Sequence, residues 1–234
     1  MNEHPILFNG EMVLAILAGK KTQTRRAVKE MNGFHRHDYY ESAYLDGEIW
    51  TAINDSGGRE IKCPYGTPGD RLWVREGFAR GCCGPIYRAD CGRRVGDECW
   101  EHLRKPGQFI DVHRGGWKPS IHMPRWASRI TLEVVAVRVE RVQEISEGDA
   151  LTEGVEAWGK SANQQDDVFR VYLANTQHLD KPCDGPGYYY RTGGPIVCFQ
   201  MLWTSINAKR GLGWSENPYV WVVEFKVKEL TNEQ

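Results

Sequence analysis

The sequence predicts a mixed α+β fold, a small β-sheet curled into a barrel with short helices at its periphery and long loop segments between strands. Three observations predict it. Residues 129–142 form the longest run of alternating apolar and polar character. Residues 219–228 close the chain with a second such run. The helical patterns between are short and single, without the strand–helix–strand rhythm of a parallel sheet.

Each element follows from its residues. Asn9 is a helix cap for residues 10–18, where Met12, Val13, Ile16 and Leu17 fall on one face. Gly19 suits the positive φ that ends a helix, and Thr22 to Val28 reads as the strand that follows. Residues 43–53 read as a hairpin about Asp46-Gly47, a dipeptide that favours a type I′ turn. Residues 54–70 read as a Gly/Pro-rich loop. In the next strand Leu72, Val74, Glu76 and Phe78 share a face. An inward carboxylate is costly unless paired, so Glu76 is either salt-bridged or functional. Residues 80–118 are irregular, with one short strand at 86–89, and 117–126 is a rigid loop bracketed by prolines.

In the long strand, Ile130, Leu132 and Val134 alternate on one face, and Val135, Val137 and Val139 on the other. That phase change predicts a β-bulge near Val134-Val135. Ser146, with Asp149 three residues on, caps a helix that runs to Glu153 and stops at Gly154. Residues 156–193 read as a polar excursion. A helix over 195–208 turns Val197, Met201, Leu202 and Ile206 inward, and the closing strand puts Tyr219, Trp221, Val223, Phe225 and Val227 on one face.

The bulk properties bound the function. The chain has 234 residues, 41% hydrophobic and 26% charged, with a formal net charge of -1. Such a balance supplies no global attraction for nucleic acid, so any such partner needs a local patch. No apolar run reaches the roughly 20 residues of a membrane span, and Met1 to Pro5 lacks the pattern of a signal peptide. No membrane partner is expected. Seven cysteines, an odd count, favour reduced thiols in the cytoplasm.

Chemistry concentrates in Gly19 to Arg26, where Lys20, Lys21, Thr22, Thr24, Arg25 and Arg26 crowd a helix-to-strand junction. A threonine hydroxyl becomes a nucleophile only when a base takes its proton, and a lysine serves when burial or nearby cations lower its pKa. Lys20, Arg25 and Arg26 are such cations. The plainer reading is a lysine that complements a helix C-terminus and a threonine that suits a strand. Glu76 and Glu153 are each a general acid or a partner for Lys21. Lys20, Arg25 and Arg26, together with Trp117, Lys118, His122, Arg125 and Trp126, offer the cations and aromatic faces that single-stranded nucleic acid or a nucleoside needs. Cys83, Cys91, Cys99 and His102 lack the close cysteine pair of a zinc site, so neither metal nor cofactor is expected.

The stretch Ile16 to Arg26 resembles the N-terminal signature of ASCH domains, members of the PUA-like superfamily of β-barrels that commonly bind RNA. Gly69-Asp70 entering a strand, the strand at 129–142 followed by the helix to Glu153-Gly154, and the closing Trp221 to Phe225 are similar to the family's later elements. Trp117 to Trp126 and Phe199 to Trp203 resemble larger ASCH proteins of bacteriophages and prophages. The resemblance implies one ASCH-like domain over 1–234, with insertions at about 30–65, 80–118 and 156–193. It implies a role on RNA or a nucleoside. One compact bacterial branch hydrolyses N4-acetylcytidine, and its Lys, Thr and Glu fall on Lys21 as base, Thr24 as nucleophile and Glu153 as acid. Other branches are ribonucleases or binding modules without catalysis, which are the alternatives.

Overall fold

Two twelve-residue strands, Ile130–Arg141 and Tyr219–Leu230, pair antiparallel along most of their length and organise the molecule. The computed structural model describes residues 1–28, 40–46, 49–54, 57–81, 84–91, 116–160, 167–173 and 187–230. In chain order the strands are β1 (Glu3–Leu7), β2 (Gln23–Ala27), β3 (Tyr40–Asp46), β4 (Ile49–Asn54), β5 (Gly57–Ile61), β6 (Arg71–Arg75), β7 (Phe78–Gly81) and β8 (Gly84–Tyr87). They continue with β9 (Ile130–Arg141), β10 (Glu156–Lys160), β11 (Asp167–Leu173), β12 (Gly187–Thr192) and β13 (Tyr219–Leu230). The helices used below are α1 (Gly10–Leu17), α2 (Glu147–Thr152) and α3 (Pro195–Asn207).

The fold is mixed α+β. Its main sheet has the order β1-β6-β9-β13-β2, with β1 parallel to β6 and the other pairings antiparallel. Among the described residues this sheet does not close into a barrel: β1 and β2 are its outer members. Smaller sheets are β3-β4-β5, β10-β11-β12 and β7-β8. No helix among the described residues is long and apolar enough to cross a membrane.

The main sheet is covered on both faces. On one side, Ile130, Leu132, Val134 and Val137 of β9 and Trp221, Val223 and Phe225 of β13 pack with Val13 and Ile16 of α1. On the other, Val220 and Val222 meet Cys198, Phe199, Leu202 and Trp203 of α3. The first half of β13 is therefore apolar at consecutive positions, as a strand buried on both faces must be.

The expected bulge is present. Phe225 pairs with Val134 and Glu224 with Ala136, which leaves Val135 as the extra residue, half exposed. Its insertion returns Val137 and Val139 to the core face occupied by Leu132 and Val134. The expected caps are also present: Asn9 Oδ1 accepts from Met12 N at 2.8 Å, and Ser146 Oγ from Asp149 N at 3.1 Å. The hairpin of β3 and β4 pairs Asp46 with Ile49; its turn residues lie outside the described ones.

Several expectations are corrected. The loop at 54–70 contains β5, and the excursion at 156–193 contains β10, β11 and β12. In β5 and β10 Gly and charged residues separate the strand formers, while in β11 and β12 the strand formers run together, so none of the four alternates with period 2. The inward face of α3 is Cys198, Phe199, Leu202 and Trp203, while Val197 and Met201 are partly exposed and Ile206 is exposed. Apolar residues surround this helix, so spacing alone does not choose a face, and the two large rings at i and i+4 take the core. Leu17, at the end of α1, and Val227 are likewise exposed. The strand at 71–78 breaks after Arg75 and restarts as β7, and the short strand expected at 86–89 is β8.

Candidate functional site

Local backbone bonding turns Lys21 inward. Gly19 takes φ +68, and the amides of Lys20 and Lys21 both donate to Ala15 O, at 2.9 and 3.1 Å. Thr22 N then donates to Thr152 O at 3.0 Å, and Thr22 O accepts from Phe225 N at 2.9 Å. The junction between α1 and β2 is thereby fastened to the last turn of α2. Glu153 is the residue that ends α2, and Gly154 follows with φ +102.

Lys21 Nζ donates to the Glu153 carbonyl at 2.7 Å and to Glu153 Oε2 at 2.8 Å. The Lys21 side chain has 0% exposure and that of Glu153 has 4%. Burial pushes the Lys21 amine below its ordinary 10.5, against the opposing pull of the Glu153 carboxylate; the charges of Arg26 and Arg25 lower it further. Both residues line a small recess that opens to solvent. Its rim carries Glu11 and Glu156, and part of its wall is apolar, from Met12 and Leu202.

Behind this pair lies an ion network. The fully buried Arg25 donates from Nε and Nη2 to Glu140 Oε1, from Nη2 to Asp149 Oδ2 at 2.9 Å, and from Nη1 to Glu153 Oε1 at 3.4 Å. In the orientation that satisfies both its polar atoms, the Gln23 amide donates to Asp149 Oδ1 and accepts from Arg25 Nη1. Arg138 joins Glu140 and Asp149 at 3.0 and 3.1 Å and also pairs with Glu224. Burial works against charge on Asp149, but the hydrogen bond and charge of Arg25, with the charge of Arg138, outweigh it and hold that carboxyl below its usual range.

The expected site residues divide. Lys21 and Glu153 meet. Thr24 is buried on β2 opposite Val223, so it shares the sheet face of the α1 core, and it is not among the residues that line the recess. Arg25, opposite Val222, faces the other side. Lys20 is exposed and pairs with Glu156 at 2.9 Å, while Arg26 donates to Leu7 O and lies over the Phe8 ring at 5.2 Å. Glu76 is held by Arg129.

Trp117, Lys118, His122, Arg125 and Trp126 do not line the recess. Lys118 bridges to Phe78, Arg125 pairs with Glu3, His122 is exposed and Trp126 is 63% exposed. The side chains of Cys83, Cys91, Cys99 and His102 lie outside the described residues, among which no group could hold a metal ion. Cys63 and Cys198 are buried and outside any disulfide; burial pushes Cys63 up to about 11, which suits a core residue and not a nucleophile.

Sequence reasoning missed Glu140 and Asp149 as partners of Arg25, and Glu11 and Glu156 at the rim. Asp149 was visible only as part of a helix cap. Glu140 sits in a strand whose alternation marks its neighbours Val137 and Val139, not itself. Comparison of the chain with family models, curated proteins and solved structures finds no match.

Gly154 supports the site through its backbone. A Cβ there would meet Lys21 Cδ only at 3.8 Å, an ordinary contact, so the cost of Gly154→Ala comes from φ +102. The expected loss is about 1–3 kcal/mol, read from the urea midpoint of the variant.

Proposed function

We propose that this chain is a hydrolase that cleaves an amide on a modified nucleoside of the N4-acetylcytidine type. The observation that carries the reading is the buried 2.8 Å contact between Lys21 Nζ and Glu153 Oε2 at the wall of an open recess. Moving one proton across that contact converts the ion pair into a neutral amine and a carboxylic acid. Burial favours loss of charge from the Lys21 amine, and after the transfer the two groups have the states a general base and a general acid require.

In this reading the Thr24 hydroxyl adds to the acetyl carbonyl and its proton passes to the Lys21 amine. The carbon–nitrogen bond then breaks as Glu153 protonates the leaving amine. Lys21 and Glu153 are left as the ion pair seen in the structure. Water next attacks the acetyl-threonine, giving its proton to Glu153, while the Lys21 ammonium returns a proton to the Thr24 oxygen. Acetic acid leaves, ionising in the solvent, and both groups regain their starting states. The role of Thr24 rests on the resemblance to ASCH amidohydrolases. So does a PUA-like barrel, of which the five-stranded sheet would be one part.

A binding module for RNA, or a ribonuclease, ranks second. The cations of the 20–26 segment are engaged internally: Lys20 by Glu156, Lys21 by Glu153, Arg25 by three carboxylates and Arg26 by Leu7 O. The recess also bears Glu11 and Glu156, which disfavour a polyphosphate backbone. We expect the protein to release cytidine from N4-acetylcytidine, detected by chromatography. Absence of turnover, or equal turnover by Lys21→Ala, overturns the reading. Tight binding of single-stranded RNA that weakens steeply with salt, without turnover, would favour the binding module instead.

A further inference from the structure

We infer that Arg25 is the positioning residue of this site: its guanidinium, fixed on Glu140 and Asp149, holds Glu153 by Oε1 so that Oε2 faces Lys21. The inference rests on the reading of Lys21 and Glu153 as the reacting pair. An arginine has five N–H donors in a rigid fork. Here Nε and one Nη2 hydrogen go to Glu140, the other Nη2 hydrogen to Asp149, and Nη1 serves Glu153 and Gln23. No donor remains for a ligand, so this cation does not bind an anionic substrate as its place in the sequence suggested. Its anchors come from two elements, Glu140 on β9 and Asp149 on α2, and the Phe199 ring of α3 lies 5.7 Å from the guanidinium carbon. A group held in this way fixes the carboxylate relative to both sheet and helix.

The same charge acts on Lys21. The charged groups facing that amine are Glu153 from the end of α2 and Arg25 and Arg26 from β2, with Glu11 of α1 and Glu156 of β10 at the rim of the shared recess. Loss of the Arg25 charge removes a repulsion from the ammonium, so the lysine then keeps its proton to higher pH.

Three variants test this: Arg25→Gln, Arg25→Lys, and Arg25→Gln combined with Glu140→Gln, which avoids leaving a surplus buried carboxylate if the single variant does not fold. Turnover of N4-acetylcytidine across pH is measured beside the titration of the lysine 13Cε resonances. Arg25→Gln is expected to lose about a hundredfold in kcat with little change in KM, and to move both the alkaline limb and the Lys21 resonance to higher pH. Arg25→Lys keeps the charge but not the fork, so kcat falls while the limb stays in place. A folded Arg25→Gln, or a folded double variant, with unaltered kcat and unmoved titration overturns the inference. If the wild-type protein does not cleave N4-acetylcytidine, the hydrolase reading fails on its own. The Lys21 titration then decides the role of Arg25: an upward move upholds it and no move overturns it.

Discussion

Replacing Lys21 by methionine is expected to lower kcat for N4-acetylcytidine by about 10³–10⁴-fold, the scale of a lost general base, while the chain remains folded. Methionine preserves most of the buried volume, and Glu153 keeps its contact with Arg25. What is lost for stability is the hydrogen bond to the Glu153 carbonyl together with the buried ion pair to Oε2, a combined cost of about 3–5 kcal/mol. The two measurements separate the competing roles of this lysine. A residue that only caps α2 would show the stability loss with unchanged turnover. A base shows the opposite weighting. The pH profile adds a check: the reacting pair needs one proton between its two groups, so the wild-type rate falls on the alkaline side as the pair loses that proton. Burial lowers that transition below the ordinary 10.5 of a lysine.

The Lys21–Glu153 meeting was legible because both ends carry local signals. A positive-φ glycine follows each helix, Gly19 after α1 and Gly154 after α2, and each glycine stands beside its functional residue or one removed from it. The bulge at Val135 was legible because a shift of one residue reverses every later side chain, which alternation records directly. Arg25 was misread for the opposite reason. Its fate depends on Glu140 and Asp149, more than a hundred residues away in sequence, and nothing local distinguishes a buried arginine from an exposed one. The strands β10, β11 and β12 were hidden because none alternates: Gly breaks β10, and in β11 and β12 the strand formers run together. This affects the site: Glu156 and Val171, from β10 and β11, line the recess, so the segment at 156–193 contributes part of its wall.

Glu76 is as buried as Glu153, yet a different outcome is expected from disturbing it. Arg129 holds both its oxygens, Nε to Oε1 at 2.9 Å and Nη2 to Oε2 at 3.1 Å. The guanidinium lies 3.9 Å from the Tyr87 ring centroid and also pairs with Asp90 at 2.7 and 2.8 Å. The two partners are therefore unequal. Glu76→Ala leaves Arg129 with Asp90, whereas Arg129→Ala leaves a carboxylate 2% exposed with its main partner gone. We expect Arg129→Ala to cost about 3–5 kcal/mol, and Glu76→Ala to cost less. Both are read from urea unfolding with an unchanged slope, and turnover per folded molecule is expected to match wild type. The sign of the pH dependence follows from Glu76. Burial pushes its carboxyl above the usual 4.5, and Arg129 opposes this. Without Arg129 the folded state holds that proton more tightly than the unfolded chain, so stability falls as pH rises above 4.5. The deficit of Arg129→Ala is thus smaller at pH 5 than at pH 8. A deficit that instead grows toward acid would mean that Glu76 stays ionised with another partner, and a kcat loss in Glu76→Ala without a stability loss would move Glu76 from the framework into the site.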